Sequence, residues 1–248
     1  MQEISLQKLI ESGAHFGHQV RRWNPRMEPY LFGEKDGVHV FDLIKTKPLL
    51  EEALQVLKKA ASENKRILLV GTKKQAKEKV MIVAKEAGVF YITERWLGGI
   101  LTNFQQIYKS SQKLTEMKKT MASGGYDKFT KKERLLLERE IERLERFFGG
   151  IEELKEPPEL LFIVDIKREK GAVREADVRG VETIGIVDSN SDPNLVDYPI
   201  PMNDDATRAI DYVLDLVKEA ILEGKGIGSK KSVVSSKKEE VKKSGKKK

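Results

Sequence analysis

The strongest constraint on this chain is a repeated hydrophobic phrase: a short uninterrupted apolar run, a stop, then apolar residues at helical spacing. Ile67-Leu68-Leu69-Val70 is closed by Gly71 and followed by an expected helix over 74–87. Leu160 to Val164 precedes an expected helix over 169–178, and the run Thr183 to Val187 comes next. A strand that is apolar at every position has no solvent face, so both of its sides must be covered. Such strands alternating with helices define an α/β chain with a doubly wound parallel sheet. The last helix, over 205–222, repeats Ala206, Ala209, Ile210, Val213, Leu214, Val217 and Ile221 on one face, as a helix laid on such a sheet requires.

The amino-terminal part follows a similar rhythm. Residues 5–13 read as a short amphipathic helix built on Leu6, Leu9 and Ile10 and ended by Gly13. A loop over 15–37, rich in Arg, aromatics and proline, leads into a strand over 38–41. Leu49, Ala53, Val56, Leu57 and Ala60 then recur at helical spacing, and 89–92 is a further strand.

Between the two halves the pattern changes. Phe104, Ile107, Leu114, Met117 and Met121 form one stripe, and Leu137, Ile141, Leu144 and Phe148 form a second, with Gly124-Gly125 between them. Two such stripes around a Gly-Gly turn predict an inserted antiparallel coiled-coil helical hairpin over 104–149. The stripes seal its seam, while residues 105–149 as a whole carry eleven Lys and Arg against seven Asp and Glu. The sheet domain is then discontinuous, 1–103 and 150–223, re-entered at Pro157-Pro158.

Charge is distributed unevenly. The formal net charge is +7, yet Gly224 to Lys248 alone holds ten lysines against Glu239 and Glu240. Those residues contain too little apolar surface to offset the entropy of ordering them, so 224–248 is expected to be a disordered Lys-rich tail. The other 223 residues carry 36 basic and 37 acidic groups, so the folded body must meet an acidic partner through local patches. Nucleic acid is the default partner for a basic chain of this kind. No stretch approaches the run of about 20 apolar residues that a membrane span needs. Mean hydropathy is −0.47, and the amino terminus lacks the basic region and apolar core of an export signal. The absence of cysteine excludes disulfides, zinc ribbons and thiol catalysis. These features together point to the cytoplasm and to no membrane partner.

A doubly wound sheet invites a nucleotide-enzyme reading, so its signatures matter. Gly71-Thr72-Lys73-Lys74-Gln75-Ala76 is neither the three-glycine dinucleotide fingerprint nor a phosphate loop ending in Gly-Lys-Ser/Thr. Lys73 and Lys74 at a helix amino terminus could still hold a phosphate, or be two solvated lysines. Asp165, Asp188, Asp192, Asp197, Asp204 and Asp205 gather at the ends of later strands. In an enzyme they could hold a divalent metal for phosphoryl transfer; equally, Asn190 to Asn194 is turn chemistry, and Asn203 or Asp204 is a suitable helix cap. No metal or cofactor is expected; the candidates, were a metal bound, are His15, His18, Asp188 and Asp204.

Arg21-Arg22-Trp23-Asn24-Pro25-Arg26 carries a clearer signal. Arg forks match phosphate oxygens, and Trp offers a face for a base. Arg95-Trp96 repeats the pairing, though in apolar surroundings that favour a core Trp and an Arg paired with a carboxylate. The candidate RNA-binding set is Arg21, Arg22, Trp23, Arg26, Lys73, Lys74, Arg95, Asn103, Lys109 and Lys113.

Four separated motifs occur in one order: His15-Phe16-Gly17-His18-Gln19 leading to Trp23-Asn24-Pro25, Arg95 to Asn103, Val187 to Pro193, and Asn203-Asp204-Asp205-Ala206. Together they resemble the bacterial small-subunit ribosomal protein two family, over about residues 4 to 224. The resemblance implies a flavodoxin-like domain with a protruding coiled-coil hairpin. It also implies docking on small-subunit ribosomal RNA, contact with other small-subunit proteins, attachment of ribosomal protein one during translation, and no catalysis. The Lys-rich tail has no counterpart that the resemblance carries over. The competing reading is a metal-dependent phosphotransfer enzyme on a doubly wound sheet.

Overall fold

Strands β4 (Ile67–Val70) and β6 (Leu160–Val164) are buried at every position, which places them at the centre of the molecule. In the computed structural model, which describes residues 4–226, they pair in parallel with Leu68 opposite Leu161. β5 (Phe90–Ile92) flanks β4, and β7 (Glu182–Val187) and β8 (Tyr198–Pro201) follow on the other side, giving the all-parallel order β5-β4-β6-β7-β8. β8 contains two prolines and no alternating pattern, so its sequence gives little strand signal. As the outermost strand it has a side with no ladder to break, and Pro is tolerated there.

The strand over 38–41 is present as β3 (Val38–Phe41), but it lies outside the parallel sheet. It is the middle strand of a small antiparallel sheet with β1 (Phe16–Gln19) and β2 (Leu31–Lys35). The expected loop over 15–37 is therefore a built element, with 3-10 turns at Val20–Arg22 and Pro25–Tyr30 between its strands. Asp36 and Gly37 take positive φ values of 54° and 76° and close the β2–β3 hairpin as a two-residue turn.

The helices are α1 (Leu6–Glu11), α2 (Leu43–Ser62), α3 (Lys77–Ala87), α4 (Phe104–Ala122), α5 (Lys131–Phe148), α6 (Lys170–Arg179) and α7 (Thr207–Gly224). α2 starts six residues before Leu49, capped by Asp42, whose side chain accepts from the Ile44 amide, and it continues through Pro48. α3 starts at Lys77 rather than Lys74, because 73–76 form the turn that leaves β4. The β4-α3-β5 and β6-α6-β7 crossovers run in opposite directions along the sheet, so right-handed connections put α3 and α6 on opposite faces. α7 packs on α2 and α3, with Ile210, Val213, Leu214, Val217 and Ile221 wholly buried. It runs through Gly224, and Lys225 then donates to the carbonyls of Ala87 and Gly88, so the first residues assigned to the tail belong to the helix end. The tail over 227–248 lies outside the described residues.

α4 and α5 bury Phe104, Ile107, Leu114 and Met117 on one helix and Ile141, Leu144 and Phe148 on the other. Thr130 and Glu133 form a reciprocal capping box that starts α5. Lys113 pairs with Glu140 and Lys118 with Glu145 across the helices. At the root, Ser111 and Thr115 donate to Glu152, and Gly150 lies so close to Tyr91 that a Cβ there would sit 2.1 Å from its carbonyl oxygen.

Candidate functional site

The carboxyl ends of the parallel strands gather most of the singled-out motifs. Lys73 leaves β4, Asp165 leaves β6, Asp188 leaves β7, and Asp204 lies just beyond β8. Lys73 Nζ is 2.6 Å from Asp204, 2.6 Å from Asp205 and 3.2 Å from Asp165. Asp188 is almost wholly buried and receives His18 Nδ1 at 3.0 Å and the Asp204 amide at 3.2 Å. The amino-terminal segment is pinned over this cluster by backbone contacts. The His18 amide donates to Ser189 Oγ at 2.8 Å, and the Asn24 amide to the Ser189 carbonyl at 2.7 Å. Gly17 permits this approach, since a Cβ there would lie 2.8 Å from Ser189 Oγ. His15-to-Trp23 and Val187-to-Pro193, far apart in the chain, thus form one structure.

The electrostatics follow from burial. Burial, with Asp188 and Asp165 nearby, pushes the Asp204 carboxyl up to about 7, against the pull of Lys73. Burial opposes charge on Lys73, but Asp204, Asp205 and Asp165 outweigh it and hold the ammonium charged well above its usual range. The hydrogen bond to Asp188 raises His18. Lys73 therefore directs its charge inward and is not presented to an external phosphate; Lys74 is exposed. His18, Asp188 and Asp204 each offer an atom within 4.8 Å of the others, a span a divalent ion could bridge. His15 is not among them; its ring packs on Phe16, and burial lowers its pKa. Asn203, rather than Asp204, caps the approach to α7 by accepting from the amides of Asp205 and Ala206.

Outward from this cluster lies the basic segment. Arg21 and Arg22 end a 3-10 turn, exposed and without a hydrogen bond or ion pair to any described residue. Arg26 is exposed too, and its guanidinium pairs with Asp192. Trp23 is half-buried, its ring tilted over His39 at 5.0 Å, so it braces the segment from below. His39 is buried, as its strand position suggests.

The second motif, 95–103, is held by a residue that the sequence did not single out. Glu175 on α6 accepts from Trp96 Nε1 (3.0 Å), the amides of Gly99 (2.8 Å), Leu101 (3.0 Å) and Thr102 (3.1 Å), and Thr102 Oγ1. Arg179 donates to the carbonyls of Leu101 and Thr102 from the same helix. The available signal was a glutamate three residues after the buried Ala172, at the edge of the inner stripe of α6. Trp96 is buried as expected, whereas Arg95 is exposed and finds no carboxylate among the described residues. Asn103 is exposed at the start of α4, and Lys109 and Lys113 are exposed along it.

The α/β sheet is closed at its β7 and β8 ends by its own lysine and histidine, and Arg21 and Arg22 lie outside that cluster with no partner among the described residues. The family model of ribosomal protein S2 matches residues 9–224. The chain is also similar to small ribosomal subunit protein uS2 of Acidiphilium cryptum, 49% identical over 224 residues, covering 90% of this chain and 87% of that protein. The uS2 protein of Rhizobium rhizogenes is 46% identical over 222 residues, with 90% and 86% covered. The chain belongs to the ribosomal protein S2 family. That family is one of ribosomal structural proteins, not enzymes, and the phosphotransfer reading falls with it. No helix among the described residues is long and apolar enough to cross a membrane.

Proposed function

We propose that the chain is a structural constituent of the small ribosomal subunit, working in the cytoplasm by binding small-subunit ribosomal RNA through exposed basic side chains on a rigid α/β body. The observation that carries the reading is the segment Arg21 to Arg26. Two arginines with no partner among the described residues and a third on the rim are held on a frame fixed by Trp23 on His39 and by the Asn24–Ser189 backbone bond. A segment fixed in this way presents the guanidinium groups to phosphate oxygens without the cost of ordering its backbone on binding. Lys74, Arg95, Asn103, Lys109 and Lys113 are further exposed positions for such contacts. The α4–α5 pair is read as a coiled-coil hairpin appended to the sheet domain. Attachment of ribosomal protein one rests on the family resemblance. The test is co-sedimentation with small subunits depleted of this protein. Changing Arg21, Arg22 and Arg26 together to Ala lowers retention at least tenfold while the melting temperature of the free protein stays within a few degrees. Unchanged retention refutes the assignment of this surface.

A further inference from the structure

A groove of about 500 Å³ opens at the carboxyl ends of β5, β4 and β6, beside the start of α6. Four cationic side chains line it: Arg95 from the loop after β5, Arg168 from the loop after β6, and Lys170 and Arg174 from α6. Only two lining groups are acidic, and both are engaged. Glu94 pairs with Lys77 at 2.9 Å. Glu169 is buried, hydrogen-bonded to Thr72, and burial pushes its carboxyl up. Arg168 donates through Nε to Thr72 Oγ1 at 2.9 Å, which fixes the guanidinium plane and leaves its terminal nitrogens available.

The side chains of Arg95, Lys170 and Arg174 make no hydrogen bond or ion pair with any other described residue. Several cations elsewhere in the sheet domain are paired instead. Lys58, Lys65, Arg66, Lys73, Lys77, Lys79 and Lys218 all have carboxylate partners. Like charges converging on one concavity repel, and an anion seated among them relieves that repulsion. The α6 amino terminus has no side-chain cap and adds positive potential at the same place. The topology agrees independently. In the order β5-β4-β6-β7-β8 the direction of winding reverses between β4 and β6, and Thr72 and Arg168 flank that reversal. Open α/β sheets bind ligands in the crevice at this point.

We propose that this groove is a second phosphate-binding surface, separate from Arg21 to Arg26, and that its occupant is the phosphodiester backbone of RNA. A free nucleotide would need a platform for its base, and the one aromatic lining the groove, Trp96, is 8% exposed, its ring edge 3.3 Å from where a Gly171 Cβ would sit. Four cations on three chain segments with no base platform suit a backbone that threads past, read without sequence preference. The inference rests on the RNA-binding reading above and adds the residues Arg168, Lys170 and Arg174 to it.

The experiment uses the full chain and transcribed small-subunit ribosomal RNA, with binding measured across a salt series. Arg95→Gln, Lys170→Gln and Arg174→Gln are combined, since all three are exposed and hold nothing else in place. For every phosphate that is no longer neutralised, the slope of log affinity against log salt becomes shallower by about 0.7–0.9. The triple variant should therefore show a slope shallower by about two units and an affinity at least tenfold weaker at low salt, with unchanged thermal unfolding. Lys59→Gln, Lys85→Gln and Lys155→Gln together remove the same charge elsewhere on the surface and should leave the slope nearly unaltered. Equal changes in the two triples would show that only net charge acts, and an unaltered slope in the first would show that the groove is not used; either overturns the groove. If the unaltered chain has no affinity for RNA, both readings fall. Pyrophosphate or ATP binding that the first triple abolishes while RNA affinity persists would assign the groove to a small phosphorylated ligand and overturn the RNA occupant.

Discussion

Replacing Glu175 by Gln swaps a carboxylate for a near-isosteric amide, so its effect isolates hydrogen-bond direction from packing. Oε1 accepts from Trp96 Nε1 and the Gly99 amide, and Oε2 from the amides of Leu101 and Thr102 and from Thr102 Oγ1. An amide places an NH2 group on one side or the other. On the first side it faces Trp96 and Gly99; on the second it faces two backbone amides, and only the Thr102 hydroxyl can turn to accept. Either orientation strands two donors. A hydrogen bond to a charged group contributes about 1.5–3 kcal/mol, so two broken bonds predict a destabilisation of about 3 kcal/mol once water reaches the outer edge of the site. The pH dependence supplies a second reading. Burial pushes the Glu175 carboxyl up, but the Gly99, Trp96, Leu101 and Thr102 donors outweigh it and leave it below its usual range. A folded-state pKa below the unfolded one gives stability that is fully present above the unfolded value, about 4.3, and is lost as pH falls through the folded value. The gap between the native chain and Glu175→Gln should therefore be complete at neutral pH and narrow below about pH 4. Urea unfolding followed by Trp96 fluorescence, in a Trp23→Phe background, measures both. A difference under about 0.5 kcal/mol at neutral pH, or one unchanged down to about pH 3, would refute the reasoning.

Three further outcomes follow from the packing. Lys73→Met leaves Asp165 and Asp204 without their cation; Asp204, already pushed up to about 7, then takes up a proton, and the change should cost about 1–3 kcal/mol in urea unfolding at neutral pH. Gly150→Ala places a Cβ against the Tyr91 carbonyl at the root of α4 and α5 and should cost about 1–3 kcal/mol, whereas Gly33→Ala, with nothing within 4 Å, should cost well under about 1 kcal/mol. Replacing residues 105–149 with a short Gly-Ser link should leave a sheet domain that unfolds cooperatively by calorimetry but is retained less by small subunits; loss of cooperative unfolding would show that the α4–α5 pair is part of the domain's core.

What could be read from the sequence depended on how local its cause is. β4 and β6 are apolar throughout, and β7 from Ile184 onward is buried and uncharged, because both faces are covered, and that signal is complete within a few residues. β8 lacks it: Tyr198-Pro199-Ile200-Pro201 is a strand only because an edge position accepts proline. β1 and β2 were hidden among the arginines and aromatics, although Asp36-Gly37 before Val38 was a legible hairpin turn. The candidate site divides in the same way. Exposed Arg21 and Arg22 could be named from residue type alone. The role of Lys73 could not, because its partners lie about 90 and 130 residues downstream and converge only when β4, β6 and β8 align. Phosphate ligand and solvated lysine were the two local readings, and the fold supplies a third, a buried ion-pair centre. Glu175 was missed for the same reason, since its donors sit on a loop more than 70 residues away.

The two halves of the strand ends carry opposite solutions to one problem. A parallel sheet exposes its carboxyl ends as a crevice, and loops there collect polar groups that must be satisfied. On the β7 and β8 side the chain satisfies them itself: Asp188 takes His18 and two amides, Lys73 bridges Asp165, Asp204 and Asp205, and the amino-terminal segment covers them. On the β5 side it does not, and Arg95, Lys170 and Arg174 line a groove with no partner among the described residues. Thr72, Lys73 and Arg168 stand at the division. Lys73 turns its ammonium toward the acidic side, while Arg168 is steered by Thr72 to line the other. Had Lys73 faced the groove, the carboxylates would lack their cation and their field would repel any phosphate nearby. By neutralising the acidic side internally, Lys73 shields the groove from that field, so its removal should weaken RNA binding even though its ammonium points away from the groove. That weakening should persist in Lys73→Met where the chain is still fully folded; undiminished affinity there would separate the two halves electrostatically and sink this coupling.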